Sequence, residues 1–393
     1  MNLPALGWLP SAGVPITPRQ LLRVLRTRDP EGRLFDGVAA HLGVQRVSLR
    51  ASGRDALRCV LASASRHTGR DEIVLPAYTC FSVAAAAVAS GLRVRLVDVT
   101  EDGRIDRKCL ETLPLERTAA IVVCNLFGLA EPIANTLSLA HAAGVLVVDD
   151  AAQAFGALGV DGPAGGRGDI GILSFGRGKP LSGLGGGAIA WNTWPAELPD
   201  PRPAEPARAM AALRAAAYDV ALAPPVFHAL SRIPALGIGE THFDVDFARG
   251  PIDPGAMALA AATLPSAGVA ADARAAEALR LADRLAPCGL RPIMAIDGAR
   301  GVYPRFFGLA PDAAARDAAL AALRPIGAGA TAMYPTALDQ VPGLRPHLCG
   351  VEDYPGARDL AARLLTLPSN GGLRANRLRK AERLLQKTLM QQS

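Results

Sequence analysis

Short apolar runs separated by segments of helical period dominate the first half of the chain. Strand-like runs at residues 48–50, 73–75, 94–97, 120–124 and 145–148 alternate with helical segments from residue 55, near 82–90 and near 135–143. Such alternation builds a mainly parallel sheet with helices on both faces. Ligands of such sheets bind beyond the carboxyl ends of the strands, so the informative residues are expected just after them.

Length limits how much more the chain holds. Its 393 residues suggest two or three folding units, or one large α/β domain with an appendage, and half of them are hydrophobic. Disorder, collagen and a small disulfide scaffold are excluded. Residues 1–240 are expected to form a large domain and 241–393 a smaller one. The Pro-rich stretch 195–206 opens a helical insertion extending to about 240, read as a helix packed on the main domain; a lid, a dimer arm or a membrane-surface contact are its alternatives. In the second part, a strand at 302–307, a helix at 312–323 and a long helix from Arg374 make a smaller α/β unit.

Charge and cysteines exclude several function classes. Lys and Arg number 42 against 36 Asp and Glu, a net charge of +6, and the excess is spread along the chain. Arg374, Arg377, Arg379 and Lys380 alternate with apolar residues as a solvated helix face does, and no nucleic-acid reader motif occurs. Cys59, Cys80, Cys109, Cys124, Cys288 and Cys349 form no CxxC pair and meet no His at metal spacing, so neither a metal site nor a disulfide framework is expected. The first twenty residues lack a basic n-region and carry Pro4, Pro10, Pro15 and Pro18, unlike a signal peptide; the cytoplasm is the expected compartment. Residues 73–92 have the length of a membrane span, but Pro76, Tyr78, Thr79 and Ser82 interrupt them, so they read as strand, turn and buried helix. No integral membrane segment is expected.

Two segments carry chemistry. In VLVVDDAAQAFGA, residues 145–157, an apolar strand ends in Asp149 and Asp150, where a carboxylate can hold a ligand cation or ring nitrogen, or simply cap a helix. In ILSFGRGKPLSGLGGGAIA, residues 172–190, a strand delivers Ser174 and a glycine-rich turn carries Lys179 between Gly178 and Pro180. A sheltered lysine can form a Schiff base with a carbonyl; a solvated lysine is the bland reading. A P-loop is not matched, because Pro180 follows the lysine.

Together with SGRDAL (52–57) and PAYT (76–79), these segments resemble the DegT/StrS family of pyridoxal-phosphate (PLP) sugar aminotransferases, over roughly residues 35–192. TAMYPTAL and LLTLPSNGGL are similar, more loosely, to the family's closing segment. The resemblance implies the fold-type-I architecture of PLP enzymes: a large domain with a mainly parallel seven-stranded sheet, and a smaller C-terminal α/β domain. It implies that Lys179 is the Schiff-base lysine and proton shuttle, Asp150 the carboxylate on the pyridinium nitrogen, and Gln153 the partner of the ring hydroxyl. Ser174, with Gly53 and the backbone N–H groups of Arg54 and Asp55, would cradle the phosphate. The family's stacking aromatic is replaced by Cys80, with Phe81 next to it and Tyr78 as an alternative. The family's phosphate-binding Asn is missing from residues 241–254, and the turn after Lys179 is a residue short. Tyr334, Arg249 and His242 are candidate substrate-side groups.

The function implied is transfer of an amino group, from glutamate, to a nucleotide-linked keto-sugar in polysaccharide or glycoside biosynthesis, by a homodimer. Other PLP-dependent sugar chemistry, elimination or dehydration, is an alternative, although the family's dehydratases carry His where Lys179 stands. A non-catalytic binding or regulatory protein of the same fold is the third reading.

Overall fold

The alternating runs assemble into one large sheet. The computed structural model describes residues 7–194, 198, 201, 203–204, 208–233, 238, 242–350 and 352–390. Helices α1 (Pro18–Arg26) and α2 (Pro30–Leu42) lead into β1 (Arg46–Arg50), α3 (Gly53–Thr68), β2 (Glu72–Pro76), α4 (Phe81–Ala89) and β3 (Arg93–Val97). There follow α5 (Arg107–Glu111), β4 (Thr118–Cys124), α6 (Ala134–Ala142) and β5 (Leu146–Asp150). A two-residue hairpin, β6 (Leu158–Gly159) and β7 (Gly162–Pro163), precedes β8 (Ile170–Ser174) and β9 (Gly187–Trp191).

The seven-stranded order is β1-β9-β8-β5-β4-β2-β3. Pairs β2–β3, β2–β4, β4–β5 and β5–β8 are parallel, and β9 runs antiparallel to both β8 and β1. Every residue of β4 is buried, as its unbroken apolar run requires of a strand covered on both faces. The span-like stretch 73–92 resolves into the rest of β2, a turn and α4, whose Val83 to Ala87 are buried in the core.

Downstream, α7 (Arg208–Leu222), α8 (Pro224–Leu230), α9 (Pro254–Thr263) and α10 (Ala267–Leu285) follow. Most of the Pro-rich stretch 195–206 lies outside the described residues. The run Pro254–Cys288 is long and apolar enough, by length and composition, to cross a membrane. Pro265 interrupts it, and Ala256, Met257, Ala260 and Ala261 of α9 pack with Leu34 and Val38 of α2 in one apolar core. That packing is what a core helix of a globular domain makes.

A second, antiparallel sheet comprises β10 (Arg291–Pro292), β11 (Phe306–Leu309) and β12 (Leu364–Leu367). Its core joins Phe306, Leu365 and Leu367 to Leu323 of α11 (Ala313–Leu323) and Leu385 of α13 (Ala375–Leu389); α12 (Pro355–Arg363) precedes β12. The strand expected at 302–307 begins only at Phe306, because Tyr303 adopts a positive φ of 39° and Pro304 has no N–H to give a ladder. All six cysteines are free thiols, and no group of metal ligands occurs among the described residues.

Candidate active site

A cavity of about 570 Å³ opens at the carboxyl edge of the large sheet. It brings together six of the nine cofactor-site residues expected from sequence: Gly53, Arg54, Cys80, Asp150, Ser174 and Lys179. They are separated by up to 126 positions in the chain, 179 − 53, and meet because β1, β2, β5 and β8 all end on this side.

Helix α3 supplies one wall. Ser52 caps it, its Oγ accepting from Asp55 N at 3.1 Å. The next residue must be small: a Cβ on Gly53 would stand 2.8 Å from Ser174 Cβ and 3.0 Å from the Leu173 carbonyl. Glycine thus lets the helix N-terminus close onto the end of β8, where first-turn N–H groups that no helix carbonyl can reach are suited to hold an anion.

Asp150 enters from β5, only 7% exposed. One carboxylate oxygen accepts from Ala152 N at 2.9 Å. Burial pushes its pKa up to about 6, against the pull of the Ala152 N–H and the positive charge of Lys179. Its neighbour Asp149 points to the opposite face, as strand alternation demands. There it accepts from Asn125 Nδ2 at 2.6 Å, Gly165 N at 2.8 Å and Arg167 Nε at 3.1 Å and Nη2 at 3.0 Å.

Lys179 comes from the turn after β8. Gly178 adopts a φ of +72°, and a Cβ there would meet Ala12 Cβ at 3.1 Å, so glycine is required to set the lysine. The turn is held by Lys179 N donating to the Gly176 carbonyl at 3.2 Å and by buried Arg274 reaching the Pro180 carbonyl at 3.5 Å. Lys179 itself is half-buried.

Three expected residues stand apart from the cavity lining. The Asp55 N–H is taken by the Ser52 cap, and its carboxylate holds Arg58 and the Gly250 N–H. Phe81 is 7% exposed and turned toward Tyr334, with ring centroids 6.1 Å apart, while Cys80 forms the wall. Gln153 is buried, donating to Tyr334 Oη at 3.0 Å and accepting from Phe127 N at 3.4 Å. Tyr78 is fully buried, its hydroxyl on the Tyr334 carbonyl at 3.3 Å, so it cannot serve as a stacking face on the cavity.

The remaining wall comes from within the segment 241–254, where sequence pointed to His242 and to a missing Asn but not to Asp244 or Phe247. The segment 242–250 folds back over α3, tied by Gly250 N to Asp55 and by Ala51 N to the Gly250 carbonyl at 3.0 Å, and places Asp244 and Phe247 on the cavity. Arg249 instead sits 5.6 Å from the Phe247 ring. Tyr334 lies behind the wall. Nothing local in the sequence marks Phe247 or Asp244; only the fold-back of this segment does.

The sheet order, the cavity at its carboxyl edge and the Lys179–Asp150 pair define the class: an α/β protein with the fold of PLP-dependent aminotransferases. Helicobacter pylori PseC, an aminotransferase involved in the biosynthesis of pseudoaminic acid, superposes with a TM-score of 0.76 at 17% identity, over 98% of this chain and all 100% of PseC. Streptococcus pneumoniae Spr1654, solved in its PLP-form, gives 0.77 at 16% identity over 98% and 99% of the two chains. Residues 25–202 match the model of the DegT/DnrJ/EryC1/StrS aminotransferase family. A UDP-N-acetyl-3-dehydro-alpha-D-glucosamine 3-aminotransferase of Acidithiobacillus ferrooxidans is 34% identical over 163 residues, 40% of this chain and 43% of that protein. The match to this curated relative therefore spans less than half of its length.

The residues present fit the cofactor that the family implies. A buried carboxylate, a half-buried lysine and a helix N-terminus held open by Gly53 share one cavity, with a donor set suited to a ring nitrogen, a carbonyl and a phosphate.

Proposed function

We propose that the protein is a PLP-dependent aminotransferase that moves an amino group, from glutamate, onto a keto-sugar carried by a nucleotide. The observation that supports this reading is the convergence of Lys179, Asp150 and the α3 N-terminus on one cavity. When bound, PLP supplies a carbonyl carbon that reacts with amines and a ring that withdraws electrons.

The chain's own residues would do the rest. Asp150, pushed up to about 6 by burial, is poised to share or release a proton to a ring nitrogen, and an ionised Asp150 would hold that nitrogen protonated. Lys179, on its pinned turn, would carry the proton between the substrate carbon and the carbonyl carbon that the cofactor supplies. Ser174 and the first-turn N–H groups of α3, Arg54 N among them, would bind the phosphate. The Gln153 amide donates to Tyr334 Oη and accepts from Phe127 N, so a bond to the ring hydroxyl would use its second Nε2–H or replace the Tyr334 contact.

Within this reading the chain works as a cytoplasmic homodimer in polysaccharide or glycoside biosynthesis. Residues 1–240 carry most of the cofactor side, and 241–393 carry the second sheet, with α9 packed back onto the first part.

The test is the visible absorption spectrum of the purified protein with PLP, before and after glutamate, beside Lys179→Ala. A band present in wild type, shifted by glutamate and missing from the variant supports amino transfer. A band that glutamate leaves in place removes glutamate as donor. No band removes the PLP reading and favours a non-catalytic protein of this fold.

A further inference from the structure

We propose that the guanidinium of Arg54 is the cationic receptor for the phosphate end of the ligand, an assignment that rests on the PLP reading and adds to it a side chain rather than a backbone group. Arg54 is the second residue of α3, and its side chain lines the cavity beside Ser52, Gly53 and Ser174. No carboxylate among the described residues forms an ion pair with it. Both neighbouring carboxylates are engaged elsewhere: Asp55 holds Arg58 and Gly250 N, and Asp244 accepts from Asp246 N at 2.9 Å.

The guanidinium is nevertheless held in place. Its Nη1 donates to the Asp244 carbonyl at 3.3 Å, and its Cζ lies over the Phe247 ring, 5.0 Å from the centroid. A side chain fixed by one carbonyl and one ring keeps most of its fork of N–H donors for another acceptor, and that fork matches phosphate oxygens. The opposite sign stands elsewhere in the cavity. Asp150, more than nine-tenths buried, has one oxygen on Ala152 N and makes no hydrogen bond or ion pair with another side chain among the described residues. One end of the cavity is thus cationic, through Arg54 and the α3 dipole, and another is anionic, through Asp150. A ligand with a phosphate at one end and a protonatable nitrogen at the other satisfies both.

Phe247 acts through Arg54 and is a positioning residue. The segment 242–250 therefore does more than cover the cavity: it aims the charge.

The experiment titrates PLP and pyridoxal, which lacks the phosphate, against wild type, Arg54→Gln, Arg54→Lys and Phe247→Ala, and separately records the melting midpoint with inorganic phosphate alone. Arg54→Gln is expected to raise the PLP Kd about tenfold or more while leaving the pyridoxal Kd in place. Arg54→Lys recovers part of the loss, and Phe247→Ala shows a smaller one. Inorganic phosphate raises the midpoint of wild type and not of Arg54→Gln. Equal loss of PLP and pyridoxal, unchanged PLP binding, or a phosphate shift that survives Arg54→Gln overturns the assignment. If wild type binds no PLP, the functional reading fails, and the phosphate melts alone decide the role of Arg54.

Discussion

At the end of β5 two adjacent carboxylates live in opposite surroundings. Asp149 is fully buried and saturated: Arg167 grips it with three donors, backbone N, Nε and Nη2, and Asn125 and Gly165 add theirs. Arg167 also reaches Asp161 and the carbonyl of Glu131, which ties the loops after β4 and β5 together. Asp150, one residue on, is almost as buried but faces the cavity with a single backbone donor on it. A buried charge that is completely paired holds a scaffold, whereas one left facing a cavity costs stability until a ligand arrives.

The largest expected effect breaks the paired side. Arg167→Met leaves Asp149 buried without its cation and should destabilise the protein by about 3–5 kcal/mol, read as a fall in the urea midpoint. A loss below about 1 kcal/mol would show that the network is not what holds these loops.

The unpaired side should respond with the opposite sign. Burial raises Asp150 from its ordinary 3.8 to about 6 in the folded chain. Between those values the native state holds the proton that the unfolded chain has released, so stability falls as pH rises through that window and stays lower above it. Asp150→Asn removes this penalty. In the cofactor-free protein at pH 7 it should raise stability by something on the order of 2 kcal/mol, and flatten the melting curve against pH between about 4 and 6, while abolishing the proposed amino transfer. Calorimetry over that pH range checks it; a variant less stable than wild type at pH 7 would mean that Asp150 is paired after all.

Smaller effects sharpen the geometry between the two. Gly53→Ala forces a methyl against Ser174 and the Leu173 carbonyl and should cost about 1–3 kcal/mol, with weaker PLP retention in dialysis. Tyr334→Phe, which removes only the hydroxyl that Gln153 bonds, should cost about 1 kcal/mol and free the Gln153 amide for a ligand. PLP binding that tightens in this variant, by fluorescence titration, would show that the contact competes with the cofactor.

Much of the frame is legible in the residues themselves. The β2–α4–β3 passage is read correctly through its Pro76 turn, and α11 starts where Asp312 caps it, Oδ1 accepting from Ala315 N at 2.8 Å. Lys179, Asp150, Ser174 and Gly53 are readable because their neighbours are glycines and strand ends, local features that a linear pattern preserves. Gln153 and Phe81 follow the same kind of pattern, yet Tyr334, well over 150 positions away, determines where both side chains turn. The strand expected at 302–307 shows the same limit in the backbone: its apolar alternation is present, but Pro304 and the turned Tyr303 delay pairing to Phe306.

The amino-acid order by itself determined the parallel α/β frame and the positions of the lysine and the carboxylate, because hydrophobic period, caps and glycine turns act over a few residues. Only the tertiary structure decided that Asp149 is spent on Arg167 while Asp150 faces the cavity, and that Phe247 closes over Arg54. Those outcomes depend on which buried charges find partners and on which distant segment folds back, and the free energy of a buried charge is set by everything packed around it rather than by its neighbours in the chain.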